Sequence, residues 1–326
     1  EAGGLSTYEH GREYYAYLAA ALTGTDSSVD ALKTRIEKQM QADLSEIRVR
    51  LKEHPELVRQ MTDSAITLSD PDEILQNLQT QIQDDFPALT DTSYTLKYVP
   101  EALESSLSPA FFLVPPIDSD GSNTIYINEK ASTEQNLYTM LAHEGYPGHL
   151  YQTVYSSLVC DTQTLPIRKL FSYGGYVEGW AYYTERISYE YAAQVLAEAE
   201  GSLGSSYPAA LLCTLLAQQR DLQINLFCLL DLSLHYYGTE ESELLRSLES
   251  FGLSEEQSER VYDYLRTAPA VYLKYYVGYL EMNALKKRAE LQWSDNFSLL
   301  RFHRFVLEAG PSDFENLTKR LKQTAA

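Results

Sequence analysis

Leu141-Ala-His-Glu-Gly-Tyr-Pro-Gly-His-Leu-Tyr-Gln152 is the stretch on which the reading of this chain turns. Two of the six histidines in 326 residues, His143 and His149, fall inside it, and Glu144 follows the first directly. That set suits zinc chemistry. Neutral imidazoles bind the ion, an open position holds a water whose pKa the metal lowers, and a nearby carboxylate takes the water's proton as it attacks a carbonyl. In the familiar H-E-x-x-H pattern the histidines are four apart on one helix, about 40° apart around its axis. Here they are six apart, about 120° on an unbroken helix, too far round to share an ion. Pro147 and Gly148 resolve the conflict. Proline removes a helical hydrogen bond and glycine frees the backbone, so the spacing predicts a break or bulge that turns His149 back towards His143.

The pattern HExxxGHxxQ, carried by His143, Glu144, Gly148, His149 and Gln152, resembles the signature of the bacterial domain-of-unknown-function family 885. Val177-Glu-Gly-Trp-Ala-Tyr-Tyr-Thr-Glu185 is similar to that family's EGWA segment, and Asp231 to His235 to its D-x-x-x-H element. Pro269 to Gly278 resembles its PxQxLSYxxG segment, with Val271 in place of the glutamine and Lys274 in place of the serine. The resemblance runs from about Gly11 to about Ala309. It implies a mainly helical zinc peptidase with two histidines and a glutamate on the metal, zincin-like in arrangement. It also implies a catalytic C-terminal portion of a longer protein, because members extend further on the N-terminal side.

Composition agrees with an ordinary folded chain, 44% hydrophobic and 22% charged, long enough to bury a sizeable core. With 46 acidic against 26 basic residues the net charge is −20, which opposes binding to phosphate backbones and anionic membranes, so a nucleic-acid function is discounted. Cys160, Cys213 and Cys228 form no CxxC and sit in apolar, helix-like contexts, as buried thiols do. No run of about eighteen apolar residues suggests a membrane span. Glu1 is not an initiator methionine. The expected location is therefore extracytoplasmic, as a cell-surface lipoprotein whose signal has been removed, or else cytoplasmic.

Helical periodicity covers Tyr8 to Leu22 and Ser28 to Glu53, with His10 and His54 at helix ends in surface or capping roles. Asp70-Pro-Asp-Glu73 opens another helix. Residues 93–130 change character: Tyr94 to Val99, Phe111 to Val114 and Thr124 to Ile127 are β-branched and aromatic runs, with Asp118-Ser-Asp-Gly-Ser122 as a turn. They predict a small antiparallel sheet whose last strand, ending at Asn128, is either an edge able to hold an extended peptide or part of a roof over the helical core. Ser132-Thr-Glu-Gln135 reads as a capping box that starts the metal-binding helix. A long helix follows Tyr173-Gly-Gly-Tyr176 through Ala199, an apolar one covers Ala209 to Tyr237, and others are opened by Ser254, Pro269 and Ser312.

The expected fold is mainly α, one catalytic region over 1–326: a helical lobe (1–92), a small antiparallel sheet (93–130) and a metal-binding helical lobe (131–326). Glu178 and Glu185 share a helix face, and either could reach the metal. Glu178 is favoured as third ligand by the glycines before it and by the family segment, leaving Glu185 to orient a ligand. Tyr275 aligns with the family tyrosine and would stabilise the oxyanion, with His235 as a possible helper whose default role is a satisfied core histidine. The resulting expectation is one Zn2+ on His143, His149 and Glu178, with Glu144 as base and a peptide as substrate. The rivals are hydrolysis of a non-peptide amide or ester, an inactive binding module on the same scaffold, and a helix-break network that holds no metal.

Overall fold

The computed structural model describes residues 3–325 apart from 64, 65, 67, 90, 91, 117–121, 134, 161–169 and 200–206, with backbone alone at 63, 106, 160 and 207. It is mainly helical, 71%, with one three-stranded sheet. Helices α1 (Gly11–Thr23), α2 (Val29–Glu53), α3 (Leu57–Asp63) and α4 (Pro71–Gln81) precede strands β1 (Tyr94–Tyr98), β2 (Ala110–Leu113) and β3 (Asn123–Ile127). Then come α5 (Leu137–Glu144), α6 (His149–Cys160), α7 (Gly174–Ala199), α8 (Tyr207–Leu232), α9 (Glu241–Ser250), α10 (Glu255–Thr267), α11 (Val271–Trp293), α12 (Leu299–Ala309) and α13 (Phe314–Leu321). No helix of the described residues is long and apolar enough to cross a membrane.

Local chemistry explains most boundaries. Gly24 ends α1 in the left-handed conformation (φ 68°) that glycine adopts without penalty. The Asp70 carboxylate accepts the Glu73 N–H with Pro71 at the first helical position, and Ser254 and Gln257 close a complete capping box on α10. Three expected starts move. α5 begins at Leu137, because the capping bonds are exchanged by Thr133 and Asn136, and the Gln135 amide is drawn instead to the Met61 carbonyl. The residue capping α13 is Asp313, whose side chain accepts the Asn316 N–H, rather than Ser312. α11 likewise starts at Val271 instead of Pro269, after a left-handed Ala270 (φ 64°) whose N–H is held by Asp231.

The sheet is mixed, which corrects the antiparallel expectation. β3 lies in the centre, parallel to β1 and antiparallel to β2. The connection from β1 to β2 contains a 3-10 turn (Glu101–Ser106) fastened by the Asn128 amide, which donates to the Glu104 and Leu107 carbonyls. That connection carries β2 past the place beside β1, and β3 fills it. β3 is thus not an edge; β1 and β2 are. Asn128 is wholly buried in this fastening rather than offered to a ligand. The proposed turn at 118–122 lies largely outside the described residues, as does Glu134 of the expected capping box.

Phe112, Ile125 and Ile127 of the sheet join one core with Leu75 and Leu78 of α4, Leu141 of α5, Leu150 of α6, Trp180 of α7 and Phe302 of α12. A second core joins α1, α2, α7, α8 and α11 through Tyr15, Leu32, Tyr182, Ile224 and Tyr276. Helices α7 and α11 face both. They can cross closely because glycine meets glycine: a Cβ on Gly179 would stand 2.6 Å from the Gly278 Cα, and one on Gly278 2.8 Å from the Gly179 Cα. This crossing brings Glu178 of α7 beside Lys274 and Tyr275 of α11.

Candidate metal centre

The helix does break at the expected place. α5 ends at Glu144 and α6 begins at His149, with a cis Tyr146-Pro147 bond between them. The backbone runs on through wider hydrogen bonds, Gly148 N–H to Ala142 C=O and Tyr151 N–H to Gly145 C=O. Gly148 has no alternative here: a Cβ would overlap the His143 carbonyl and lie 2.5 Å from the Ala142 oxygen. The indole N–H of Trp180 fixes the break from α7 by donating to the Pro147 carbonyl at 2.8 Å. As a result the rings of His143 and His149 lie 4.9 Å apart, edge to face.

Glu178 completes the group. Its Oε2 is 3.2 Å from His149 Nε2 and 3.8 Å from His143 Nε2, and one donor atom from each of the three residues lies within 4.8 Å of the others. Two imidazoles and a carboxylate at about 2.0–2.2 Å from a tetrahedral zinc would be separated by about 3.3 Å, so the set fits. A further sign is that Glu178 Oε2 is buried without a hydrogen-bond partner, an expensive condition that a cation would relieve. The pair Glu178 and Glu185, left open by the shared helix face, is separated by the geometry. Glu185, 1% exposed, accepts from His143 Nδ1 at 2.9 Å and from Arg220 Nε at 2.9 Å, so it stands behind the imidazole and leaves Nε2 facing Glu178.

The electrostatics follow from this packing. Burial works to raise the Glu185 carboxyl, but Arg220 and His143 outweigh it and hold it down at about 2. Burial alone would lower His143; the Glu178 carboxylate facing its Nε2 and the Glu185 carboxylate bonded to its Nδ1 instead push it up to about 10 without a metal. Glu178 is held well below the usual carboxylate range, burial being outweighed by the two histidines and Lys274. Glu144, 9% exposed, accepts the Phe112 N–H of β2 through Oε2 at 2.8 Å. Tyr275 lies with its ring 6.2 Å from that of His143, nearly parallel to it. Burial first, then the negative Glu178, push its phenol up, so it keeps its proton.

The remaining histidines lie elsewhere. His235 is in a π-helical turn (Ser233–Tyr237), where Nδ1 accepts the Leu5 N–H and Nε2 donates to the Leu265 carbonyl. Both nitrogens are spent on backbone, so it is not brought to the site. Neighbouring Asp231 accepts from Tyr15 and from the Ala270 N–H. His303 is buried between Tyr183 and the Asp85 carbonyl; His10 is exposed and His54 ends α2. Cys213 and Cys228 are buried thiols, and the side chain of Cys160 is outside the described residues. Sequence reasoning missed two partners. Arg220, a charge inside an apolar helix, signalled that a buried carboxylate must face it; the Phe112 N–H gave no signal, since no pattern of side chains reveals where a backbone group points.

No curated protein matches this chain. Among solved structures it is similar to a candidate lipoprotein of Colwellia psychrerythraea, with TM-score 0.80 and 20% identity, over 98% of this chain and 56% of that one. It is also similar to a candidate lipoprotein of unknown function from Shewanella oneidensis, with TM-score 0.69 and 19% identity, over 98% and 60%. The chain thus spans little more than half the length of these structures, and the likeness is one of fold. The family model described as "Bacterial protein of unknown function (DUF885)" matches residues 2–321, and this chain belongs to that family.

Proposed function

We propose that this chain is a zinc-dependent hydrolase of peptide bonds with a zincin-like arrangement of metal helix and sheet edge. The observation that carries the proposal is the convergence of the His143, His149 and Glu178 donor atoms beside the Glu144 carboxylate. A zinc ion held by His143, His149 and Glu178 would supply a Lewis acid and lower the pKa of a water there. Glu144 would serve as the base for the attacking water. Its Oε2 is anchored by the Phe112 N–H, which leaves the other oxygen for the transfer. Tyr275, protonated, donates to the oxyanion that develops on the attacked carbonyl. Glu185, backed by Arg220, fixes the orientation of the His143 ring.

The peptide preference rests on β2. Phe112 points its N–H away from β3, and backbone alternation puts Ala110 on the same free edge. An extended chain pairing with that edge would pass the base at Phe112. By likeness to the candidate lipoproteins, the proposed workplace is outside the cytoplasm. Elemental analysis of the purified protein, joined to a peptide-library digest with and without chelator, tests the proposal. Stoichiometric zinc and chelator-sensitive cleavage are expected; a metal-free protein, or cleavage indifferent to chelator, would refute it.

A further inference from the structure

Glu178 uses its two carboxylate oxygens differently. Oε2 faces the two imidazoles and has no hydrogen-bond partner, whereas Oε1 is held by Lys274 Nζ at 2.9 Å. The lysine is itself fitted into place. Its stem lies along Gly174, where a Cβ would come 3.3 Å from the Lys274 Cδ and 2.9 Å from the Leu22 carbonyl, and its ammonium sits 5.0 Å from the centre of the Tyr275 ring. Both partners are largely buried, with side-chain exposures of 21% for Lys274 and 14% for Glu178, so water screens the contact far less than at a surface. A carboxylate can bind a metal through one oxygen or two, and an arginine fork in this position would engage both. An ammonium is a compact charge that engages one oxygen and leaves its neighbour free.

The geometry points to Lys274 as a positioning residue that makes Glu178 a one-oxygen metal ligand, which keeps a coordination position open for water. The inference rests on the metal centre proposed above and adds a constraint on it. Four-coordinate and five-coordinate Co2+ differ in visible absorption, the four-coordinate ion absorbing more strongly, so replacing zinc with cobalt reads the ligand number directly.

The test uses the whole chain, wild type and Lys274→Met, with zinc affinity measured by chelator competition and the visible spectrum recorded after loading with Co2+. The methionine keeps the stem that packs on Gly174; Lys274→Gln is the second variant should the first fail to fold, as judged by circular dichroism without metal. The variant is expected to bind zinc about 10–100-fold more weakly. Its cobalt absorption is expected to weaken as the second oxygen of Glu178 enters coordination. The spectrum decides: a wild-type spectrum in the variant overturns the inference, whatever happens to affinity, because loss of charge alone would then be the whole effect. A wild-type protein that takes up neither metal overturns the metal centre itself, a result distinct from failure of the lysine's role.

Discussion

His143 and His235 are both buried histidines on helical segments, each near a buried carboxylate, yet their surroundings differ in kind. His235 spends Nδ1 on the Leu5 N–H and Nε2 on the Leu265 carbonyl, stacks on Tyr15, and is kept neutral by burial. Nearby Asp231, pushed up to about 7 by burial against the hydrogen bonds from Tyr15 and Ala270, caps the approach to α11. Every polar atom of that pair answers to backbone or to a phenol. His143 spends only Nδ1, on a carboxylate that an arginine holds in turn, and aims Nε2 at another carboxylate oxygen that has no hydrogen-bond partner. One arrangement is closed and the other is open on the side where an ion would sit. The lesson is that burial and residue type do not separate a structural histidine from a ligand; the direction of its second nitrogen does.

The largest effect expected from this contrast is at the base. Glu144→Gln keeps size and the bond to the Phe112 N–H, so zinc should stay bound at near-full occupancy while peptide turnover falls about 10²–10⁴-fold. Metal analysis and kcat on the same preparation check both halves, and intact turnover would end the hydrolase proposal. Tyr275→Phe comes next, with kcat expected to fall about 10²–10³-fold and metal content unchanged. A phenylalanine variant with wild-type kcat would return Tyr275 to the packing residues.

Glu185→Gln tests the support behind the open histidine. Loss of the charged partner should weaken zinc binding about 10–100-fold, measured by chelator competition. The same variant tests the proton balance. Without metal the His143 pKa lies near 10, so the proton is present below that pH and zinc must displace it. Apparent zinc affinity should therefore rise with pH between 6 and 8, by about tenfold per unit for one displaced proton. The slope should be shallower in Glu185→Gln, because the Glu185 hydrogen bond helps to hold that proton. A slope of zero in the wild type would show that His143 is already neutral. The smallest effect is reserved for the closed arrangement: His235→Phe should cost about 1–3 kcal/mol in urea unfolding by stranding the Leu5 N–H and Leu265 C=O, and leave zinc affinity untouched.

The broken helix was legible because Pro147 and Gly148 are local chemistry acting on a spacing that no straight helix could use. Helix starts at Asp70 and Ser254 were legible for the same reason. What escaped was decided by partners distant in sequence. The parallel pairing of β1 with β3 depends on where the Asn128 amide fastens residues 104 and 107, and the strand runs look the same whatever order they take in the sheet. The start of α5 at Leu137 depends on Met61 competing for Gln135. Glu178 and Glu185 lie on the same helix face in sequence, and partners distant in the chain tell them apart: His143 Nδ1 and Arg220 of α8 for Glu185, His149 and Lys274 of α11 for Glu178.

The glycine contact between α7 and α11 has a consequence for how this region tolerates change in length. Glu178 adjoins Gly179, and Lys274 and Tyr275 precede Gly278 by about one helical turn, so the contact acts as a pivot from which the site residues are measured. One residue inserted into α11 between Tyr275 and Gly278 would swing the tyrosine by about 100° and shift it by about 1.5 Å along the axis. Residue type, hydrophobicity and helix propensity could all be preserved and the phenol would still face the wrong way. Between these two helices, length is therefore a stricter requirement than composition: insertions and deletions within Gly174–Glu185 or Ala270–Gly278 should abolish metal-site assembly.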